Sequence, residues 1–142
     1  MTEIRRLRPG DEERASEVAT FFKSSNISDA EARNFLSNSQ NHLIVAEVNG
    51  ELAGFLLGYA LHRVDSSRSM MFLYEIDVAE QFQRRGVGRA LVEELDRTCR
   101  EQGFLKMFVL TNESNLPAVS LYQTTGGRRG EDDEALFVYR YE

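Results

Sequence analysis

The segment Val78–Leu91, with the sequence VAEQFQRRGVGRAL, connects an apolar strand-like run to an amphipathic helix. Gly86 and Gly88 leave no side chain where this helix begins, and the amides of a first helical turn have no intrahelical partner. Three arginines stand beside these amides, at Arg84, Arg85 and Arg89. Cations are unfavourable at the positive end of a helix dipole unless an anion compensates them, so the segment predicts an anion-binding turn.

A bare Gly-x-Gly turn also allows a simpler interpretation, in which the glycines only form a tight turn and the arginines face water. The pattern lacks the third glycine and the following acidic residue of the dinucleotide-binding fingerprint. It also lacks the Gly-Lys-Ser/Thr of a phosphate-binding P-loop. A pyrophosphate ligand held by a different fold is the remaining binding hypothesis.

The composition of the chain is typical of one globular domain. The 142 residues carry 17 Lys and Arg against 23 Asp and Glu, a net charge of −6, and 42% of them are hydrophobic. These values exclude the disordered and fibrous classes, and we expect residues 1–142 to form a single domain. The negative charge disfavours nucleic acid as a partner, because nucleic-acid-binding domains cluster Lys and Arg.

The sequence carries no pattern that directs a chain to a membrane. The longest uncharged run useful for a membrane argument, Leu52–Leu61, is about half of the ~20 residues that span a bilayer, and the N-terminal residues lack the basic-then-apolar order of a signal peptide. The single cysteine, Cys99, allows no intrachain disulfide. We therefore expect a cytoplasmic protein with no membrane partner.

Hydrophobic periodicity predicts the element order βααβββαβαβ. The predicted strands are Arg5–Leu7, His42–Val48, Leu52–Tyr59, Met70–Val78, Leu105–Leu110 and Ala135–Tyr139. The predicted helices start at Asp11, Ser28, Gly86 and Asn115. Asn49-Gly50 predicts a two-residue hairpin turn within an antiparallel meander. The expected fold is of the α/β (α+β) class, with a mixed, mostly antiparallel central sheet and helices on both faces.

Two segments together resemble one protein family. Gln83–Gly88 resembles the Gln/Arg-x-x-Gly-x-Gly/Ala motif of the GNAT acyl-CoA N-acyltransferases, preceded by a strand and followed by a helix as in that family. Asn115–Gly126 resembles the family's Asn-x-x-Ala-x-x-Leu-Tyr-x-x-x-Gly segment. The resemblance covers about Leu73 to Gly127 and implies a GNAT-like fold, with acetyl-CoA as co-substrate and no metal.

The resemblance also implies roles for particular residues. Backbone amides from Arg84 to Ala90 would hold the pyrophosphate of acetyl-CoA, Ile76–Val78 would pair with its pantetheine arm, and Asn115 would hydrogen-bond the same arm. Tyr122 would protonate the leaving thiolate, although its spacing alone favours a core aromatic. The implied coenzyme A-binding set is Ile76, Asp77, Val78, Gln83, Arg84, Arg85, Gly86, Val87, Gly88, Arg89, Ala90, Asn115 and Tyr122.

Glu75 is the candidate general base. A primary alkylammonium has a pKa of about 10, so an amine acceptor needs a base or a chain of waters to remove its proton. On a regularly alternating strand Glu75 and Asp77 share one face. The other face then holds Tyr74, Ile76 and Val78. The alternative interpretation of Glu75 is a solvated or ion-paired strand carboxylate.

Within the family, the segment Ser66–Val78 is similar to the class I aminoglycoside 3-N-acetyltransferases, with Glu75 in place of their Asp and Asp77 in place of their Ala. An aminoglycoside carries several ammonium groups, so carboxylates should line its cleft. The expected substrate-binding set is Glu75, Asp77, Asp132, Asp133 and Glu134. The alternative is that residues 131–134 form only an exposed acidic loop.

The expected activity is acetyl-CoA-dependent transfer of an acetyl group to a primary amine of a small cationic, aminoglycoside-like molecule, by direct attack on the thioester. Cys99 lies on the apolar face of its helix, and we do not expect it to form an acetyl-enzyme. Two alternatives stay open: a GNAT enzyme that acts on another amine (a polyamine, an amino-acid derivative, a peptide or a protein), and a non-catalytic acyl-CoA-binding module. The apolar residues Phe137–Tyr139 are candidates for contact with a second copy, which makes a homodimer one expectation.

Overall fold

The computed structural model describes residues 1–131 and 133–141. Its elements are, in chain order, β1 (Thr2–Arg6), α1 (Glu12–Lys23), α2 (Asp29–Ser37), β2 (Asn41–Val48), β3 (Glu51–Leu61), β4 (Met70–Val78), a 3₁₀ turn (Glu80–Phe82), α3 (Val87–Glu101), β5 (Lys106–Val109) and α4 (Leu116–Thr124). The strands form one sheet in the order β1-β2-β3-β4-β5, in which only the β4–β5 pair is parallel. This confirms the mixed, mostly antiparallel sheet. None of the described helices has the length and apolar composition required to cross a bilayer.

Short-range signals set the ends of several elements. The Ser28 hydroxyl accepts from the Glu31 amide at 3.1 Å and the Glu31 carboxylate accepts from the Ser28 amide at 3.0 Å, so a capping box starts α2. Asn49 and Gly50 have φ of 52° and 82°, the left-handed pair that a two-residue hairpin turn requires. These contacts confirm the predicted start of α2 and the predicted turn between β2 and β3.

Helices cover both faces of the sheet. On one face, called here the α3 face, Leu56, Leu91 and Leu95 are fully buried where α3 packs on the sheet. On the other, the α1/α2 face, α1 and α2 cover a second cluster that includes Val45 and Phe55. Because both faces of the sheet are buried here, β2 and β3 are nearly continuous runs of apolar residues.

The pairing of β3 with β4 shifts by one residue partway along the strands. Leu57 of β3 pairs with Glu75, whereas the next residue, Gly58, pairs with Leu73. Tyr74 is thus an extra residue in β4, which is the definition of a β-bulge.

This bulge changes which β4 side chains reach the α3 face. Leu73 is buried in the α3-face core, and strict alternation would next direct Glu75 and Asp77 towards α3. After the extra residue, the side chains that pack on the α3-face core are instead Ile76 and Val78. The bulge therefore keeps two carboxylates out of the core.

The prediction that Tyr74 shares a face with Ile76 and Val78 is wrong, because Tyr74 is the bulged residue. Its ring centre lies 5.6 Å from the ring centres of both Tyr59 and Phe72. Aromatic rings continue across the strands to β5, where Phe72 stacks on a phenylalanine at 4.8 Å. These rings are called the aromatic row: Tyr59, Tyr74, Phe72 and Phe108.

The predicted strand Ala135–Tyr139 does not form. Its residues pair with no strand of the described sheet, and Phe137 and Tyr139 are 80% and 79% exposed. The segment has the alternation and the aromatic content of a strand, but a strand gains its hydrogen bonds only from a neighbour. The prediction of a sixth strand within this chain is therefore wrong.

Candidate active site

The parallel strands β4 and β5 separate partway along the sheet. They pair over Met70–Leu73 and Lys106–Val109, and β4 then continues to Val78 with β3 on one side and no described strand on the other. The resulting gap, called the wedge, opens beside the turn that leads into α3. A separation of two parallel strands exposes backbone hydrogen-bonding groups inside a sheet rather than at its outer edge.

The backbone of Ile76 faces the wedge. The Ala79 amide donates to a β3 carbonyl at 2.8 Å, and because alternate residues of a strand point their amides to opposite sides, Ile76 and Val78 point theirs away from β3. Val78 has local partners: its amide donates to the Asp77 carboxylate at 2.9 Å and its carbonyl accepts from the Gln83 side chain at 3.1 Å. Ile76 therefore offers the strand edge with which an extended ligand can pair.

The turn between β4 and α3 has the backbone of an anion-binding loop. Arg84 and Gly86 have φ of 63° and 79°, in the left-handed region that glycine tolerates and arginine rarely adopts. Gly86 is the N-cap of α3, and no described side chain caps this helix. The Ala90 amide, which the sequence places in the pyrophosphate-binding set, already donates to the Gly86 carbonyl at 3.0 Å. The first-turn amides without an intrahelical partner therefore end at Arg89.

Exposed arginines surround these amides. The Arg85 guanidinium lies 5.6 Å from the centre of the buried Phe82 ring, within cation–π distance. Arg89 forms a 3.3 Å ion pair with Glu93, one turn further along α3. The turn thus combines free amides with positive charge, as the sequence predicts.

Two glycines let β3, β4, α3 and α4 meet at the mouth of the wedge. A Cβ placed on Gly88 would lie 3.6 Å from Leu121 and 3.8 Å from Val78, which is ordinary van der Waals contact. A Cβ placed on Gly54 would lie only 2.9 Å from the Asp77 carbonyl oxygen, so any side chain there pushes β4 away. No sequence motif singles out Gly54, although a glycine inside a strand-like run is a signal of close backbone approach.

Asn115 is the N-cap of α4, and Tyr122 lies within this helix. The Asn115 Oδ1 accepts from the Ala118 amide at 3.2 Å, so this side chain caps the helix. Tyr122 is half-buried against the α3-face core, and burial raises the pKa of its phenol. The Tyr122 hydroxyl therefore keeps its proton at neutral pH, which is the state that a general acid needs.

Glu75 forms an ion pair that no local sequence pattern reveals, because its partner lies 52 residues away. Its Oε2 accepts from the Nζ of Lys23, the last residue of α1, at 2.5 Å, and this hydrogen bond raises the pKa of Lys23. The bulge at Tyr74 permits the contact, since it turns Glu75 towards the α1/α2 face. The structure thus shows an ion-paired carboxylate, and the use of Glu75 as a base stays a prediction.

The predicted carboxylate wall is described only in part, because Asp132 lies outside the described residues. Asp133 and Glu134 are exposed, and a Glu134 oxygen accepts from the Glu131 amide at 2.7 Å. In the part of the chain that the structure describes, no hydrogen bond or ion pair joins these two side chains to β4. Their role in substrate binding, and that of Asp77, stays a prediction.

Other reactive groups lie away from the wedge. Cys99 is buried in the α3-face core, and burial raises the pKa of its thiol to about 11, so the thiol is protonated and a poor nucleophile. A cavity of about 410 Å³ lies at the opposite end of the sheet, beside Arg6 and His42, and includes no predicted site residue. Over residues 1–131 and 133–141, no group of three or more His, Cys, Asp or Glu side chains is placed to hold a metal ion.

The curated relatives of this chain are acetyltransferases. N-acetyltransferase family 8 member 2 of Rattus norvegicus is 28% identical over 89 residues, which are 63% of this chain and 39% of the rat protein. The L-2,4-diaminobutyric acid acetyltransferase of Nocardia farcinica is 26% identical over 87 residues, which are 61% of this chain and 44% of that protein. This chain therefore spans less than half the length of these two relatives.

Solved structures share the fold. An aminoglycoside acetyltransferase from an uncultured soil metagenomic sample, in complex with sisomicin, matches with a TM-score of 0.85 and 22% identity over 99% of this chain and 97% of that chain. An aminoglycoside N-acetyltransferase in complex with CoA matches with a TM-score of 0.77 and 22% identity over 99% of this chain and 95% of that chain. At these identities the likeness establishes the fold alone.

A family profile covers most of the chain. The profile described as the acetyltransferase (GNAT) family matches residues 6–126. Both sequence motifs lie inside that range, as do all the elements that border the wedge. The chain therefore belongs to the GNAT acetyltransferase family.

Proposed function

We propose that this chain, as a single domain over residues 1–142, is an acetyl-CoA-dependent N-acetyltransferase. Its acceptor is a primary amine of a small polycationic molecule of the aminoglycoside type, which attacks the thioester directly. The observation that carries the proposal is the wedge, which opens beside the uncapped, arginine-flanked N terminus of α3. A pyrophosphate joined to an extended amide-containing arm fits these two features together.

Acetyl-CoA supplies an acetyl group that is activated as a thioester. The amides from Arg84 to Arg89 would receive its pyrophosphate, because free amides and the helix dipole both favour an anion there. The edge of Ile76–Val78 would pair with the pantetheine arm as an added strand. Asn115 would reach the same arm through its amide nitrogen, since its oxygen already caps α4.

In the proposed reaction the amine nitrogen bonds to the acetyl carbon and the carbon–sulfur bond breaks. Glu75 takes the proton of the attacking amine, directly or through water. A substrate ammonium has the same charge and donors as the Lys23 ammonium, so it can replace Lys23 on Glu75 without leaving the carboxylate unpaired. Tyr122 keeps its proton at neutral pH and donates it to the departing sulfur.

Several carboxylates support a cationic acceptor. Glu75 and Asp77 extend from the part of β4 that borders the wedge, and Asp132, Asp133 and Glu134 precede the C-terminal residues. The structural neighbour solved with sisomicin supports an aminoglycoside in particular. The relative named for L-2,4-diaminobutyric acid favours a second candidate, the amine of an amino-acid derivative.

Calorimetry with acetyl-CoA tests the coenzyme half of the proposal. We expect micromolar binding by the unmodified chain, and at least a tenfold loss (about 1.4 kcal/mol) in Arg84→Glu, because a carboxylate then lies beside the pyrophosphate. Arg33→Glu is the matched control, since it makes the same change of charge on α2. Equal affinities of the two variants, or no binding by the unmodified chain, would contradict the assignment.

A thiol-release assay over a panel of amines tests the acceptor half. The panel contains sisomicin, a kanamycin-type aminoglycoside, spermidine, L-2,4-diaminobutyric acid and peptides. We expect the highest kcat/KM with the aminoglycosides. Turnover of the amino acid or the peptides alone assigns a different acceptor, and binding of acetyl-CoA without turnover of any amine assigns a non-catalytic module.

A further inference from the structure

Lys23 presents a primary amine to the group that the proposed function uses as the base. It is the last residue of α1, and its Nζ donates to Oε2 of Glu75. A lysine side chain ends in the same functional group as the proposed acceptor, because both are primary amines with three donors when protonated. The chain therefore holds one of its own amines where an acceptor amine would be held.

The second lysine of the chain lies elsewhere. Of the 17 Lys and Arg residues, only Lys23 and Lys106 are lysines. The arginines stay protonated in proteins and are poor nucleophiles. Lys106 is exposed at the start of β5, opposite Met70, at the end of the β4–β5 pairing that is farthest from the wedge. Lys106 thus offers an internal comparison for Lys23.

The ion pair between Lys23 and Glu75 can open at little cost. Their side chains are 46% and 27% exposed, and an ion pair that water reaches contributes little to stability. Lysine also has a flexible four-carbon stem. Glu75 lies two residues beyond Leu73, where the pairing of β4 with β5 ends, and directly before Ile76, whose edge faces the wedge. The amine is therefore held beside the stretch of β4 on which the proposed pantetheine arm would run.

We propose that this chain acetylates its own Lys23, an inference that rests on the proposed acetyl transfer. The ammonium first gives one proton to Glu75, which passes it to water. The free amine then bonds to the acetyl carbon and the carbon–sulfur bond breaks. Tyr122 protonates the sulfur, and the second proton of the nitrogen restores the phenol through water. The products are Nε-acetyl-Lys23, the thiol of coenzyme A and one released proton. The acetylated side chain has no charge, so it no longer competes with an acceptor ammonium for Glu75.

The position of Lys23 sets the expected kinetics. Because the amine and the base belong to one chain, the reaction is intramolecular once acetyl-CoA is bound, and its rate does not depend on protein concentration. The hydrogen bond to Glu75 raises the pKa of the lysine ammonium, and the nearby Tyr74 and Asp77 add to this effect. Tyr59 of β3 also lies near the ammonium. The ammonium therefore keeps its proton at neutral pH, and the rate should rise towards alkaline pH.

Peptide mapping by mass spectrometry tests the proposal on the unmodified chain, incubated with saturating acetyl-CoA in a buffer that contains no amine. We expect Lys23 to gain an acetyl group at least about tenfold faster than Lys106, at a rate that is unchanged when the protein is diluted. Direct chemical acetylation by the thioester acts on both lysines, so Lys106 measures that background. Equal rates at the two lysines, or a Lys23 rate that falls in proportion to the dilution, overturns the proposal.

Two matched variants separate catalysed from chemical modification. Glu75→Gln removes the proposed base, so we expect the rate at Lys23 to fall to that of Lys106. Glu51→Gln makes the same change at an exposed residue at the start of β3, and it should leave the rate at Lys23 as it was. An unchanged rate at Lys23 in Glu75→Gln also overturns the proposal.

The thiol-release assay on the same preparation separates this inference from the proposed function. Turnover of an added amine, combined with equal rates at the two lysines, overturns self-acetylation and leaves the proposed function standing. Acetylation of Lys23 without turnover of any added amine supports self-acetylation and contradicts the proposed acceptor.

Discussion

Strands β2 and β3 are buried along most of their length, whereas β5 and α4 contain no buried residue. The first two belong to what we call the closed half, which comprises β1–β4 and α1–α3 and holds both apolar clusters. The open half comprises β5, α4 and the C-terminal residues 135–141, called the tail. The wedge lies where the two halves meet.

The closed half therefore provides most of the stability of the chain, whereas the proposed binding sites lie at its border with the open half and within the open half. The closed half contains every buried residue of the two clusters, including Phe82 and Val87 on either side of the β4–α3 turn. The open half leaves a strand edge and an apolar tail for which the described chain has no cover. A ligand or a second copy that binds only the folded chain would add to the stability of that half.

The largest contrast should appear when the same substitution is made in each half. Leu56→Ala removes a side chain that is 0% exposed, so we expect its free energy of unfolding to fall by about 3–5 kcal/mol. Leu121 lies on α4, in the open half. Leu121→Ala should lower the free energy of unfolding by only about 1 kcal/mol, because water already reaches this side chain. Urea unfolding at one protein concentration measures both. Equal losses would show that the open half is packed as tightly as the closed half.

The closed half also contains a buried histidine that makes its stability sensitive to acid. His42, at the start of β2, is 2% exposed, and burial lowers its pKa from 6.5 to about 4. Below pH 6.5 the unfolded chain binds a proton that the folded chain does not bind until about pH 4. As the pH falls from 6.5 to about 4, the free energy of unfolding should therefore decrease by at most about 3 kcal/mol. Above pH 6.5 this histidine should have no further effect on stability.

Urea unfolding at pH 7.5 and pH 5 checks the acid effect. His42→Asn should lose less stability between these two values than the unmodified chain does. The exposed His62, changed to Asn, is the matched control and should leave the difference as it was. If His42→Asn loses as much stability between pH 7.5 and pH 5 as the unmodified chain does, His42 is not the cause of the acid effect.

Alanine substitutions at Gly54 and Gly88 test how closely the chain packs where the two halves meet. Gly54→Ala should cost about 1–3 kcal/mol, because its Cβ would meet the Asp77 carbonyl oxygen at 2.9 Å. Gly88→Ala should stay within about 0.5 kcal/mol of the unmodified chain, since its Cβ has only ordinary contacts. If the Gly88 backbone approaches a pyrophosphate, Gly88→Ala should still weaken the binding of acetyl-CoA in calorimetry. Unchanged affinity would restrict Gly88 to a packing role.

The smallest effect on stability is expected at the ion pair between Lys23 and Glu75. Both side chains are partly exposed, so Lys23→Ala should cost less than about 1 kcal/mol. Turnover should survive in Lys23→Ala and fall in Glu75→Gln, because only the carboxylate takes the proton in the proposed reaction. Rates measured from neutral to alkaline pH should show recovery of Glu75→Gln as the amine loses its own proton. Equal losses of kcat/KM in both variants would make the pair purely structural.

Features that depend on a few neighbouring residues could be predicted from the sequence. The capping box of Ser28, the Asn49-Gly50 turn and the glycine-containing turn into α3 each follow from local backbone chemistry. Because these signals fix the order and type of most elements, the sheet class and the position of the wedge turn could also be predicted.

Features that depend on long-range pairing could not be predicted. The partner of Glu75 belongs to a helix 52 residues away, so the ion pair with Lys23 leaves no local pattern. The tail illustrates the same limit, since its alternation predicts a strand but carries no information on which edge, or which copy, would pair with it.

The extra residue in β4 means that the chemistry of the wedge is set by the number of residues in the strand as well as by their identity. Strict alternation of β4 with Tyr74 in place would direct Glu75 and Asp77 at the core. Deletion of Tyr74 would instead remove the bulge and leave Ile76 and Val78 on the α3 face. A single codon lost at Tyr74 would therefore straighten this stretch and keep its polarity, whereas pairing β4 without the bulge while Tyr74 is present would invert that polarity.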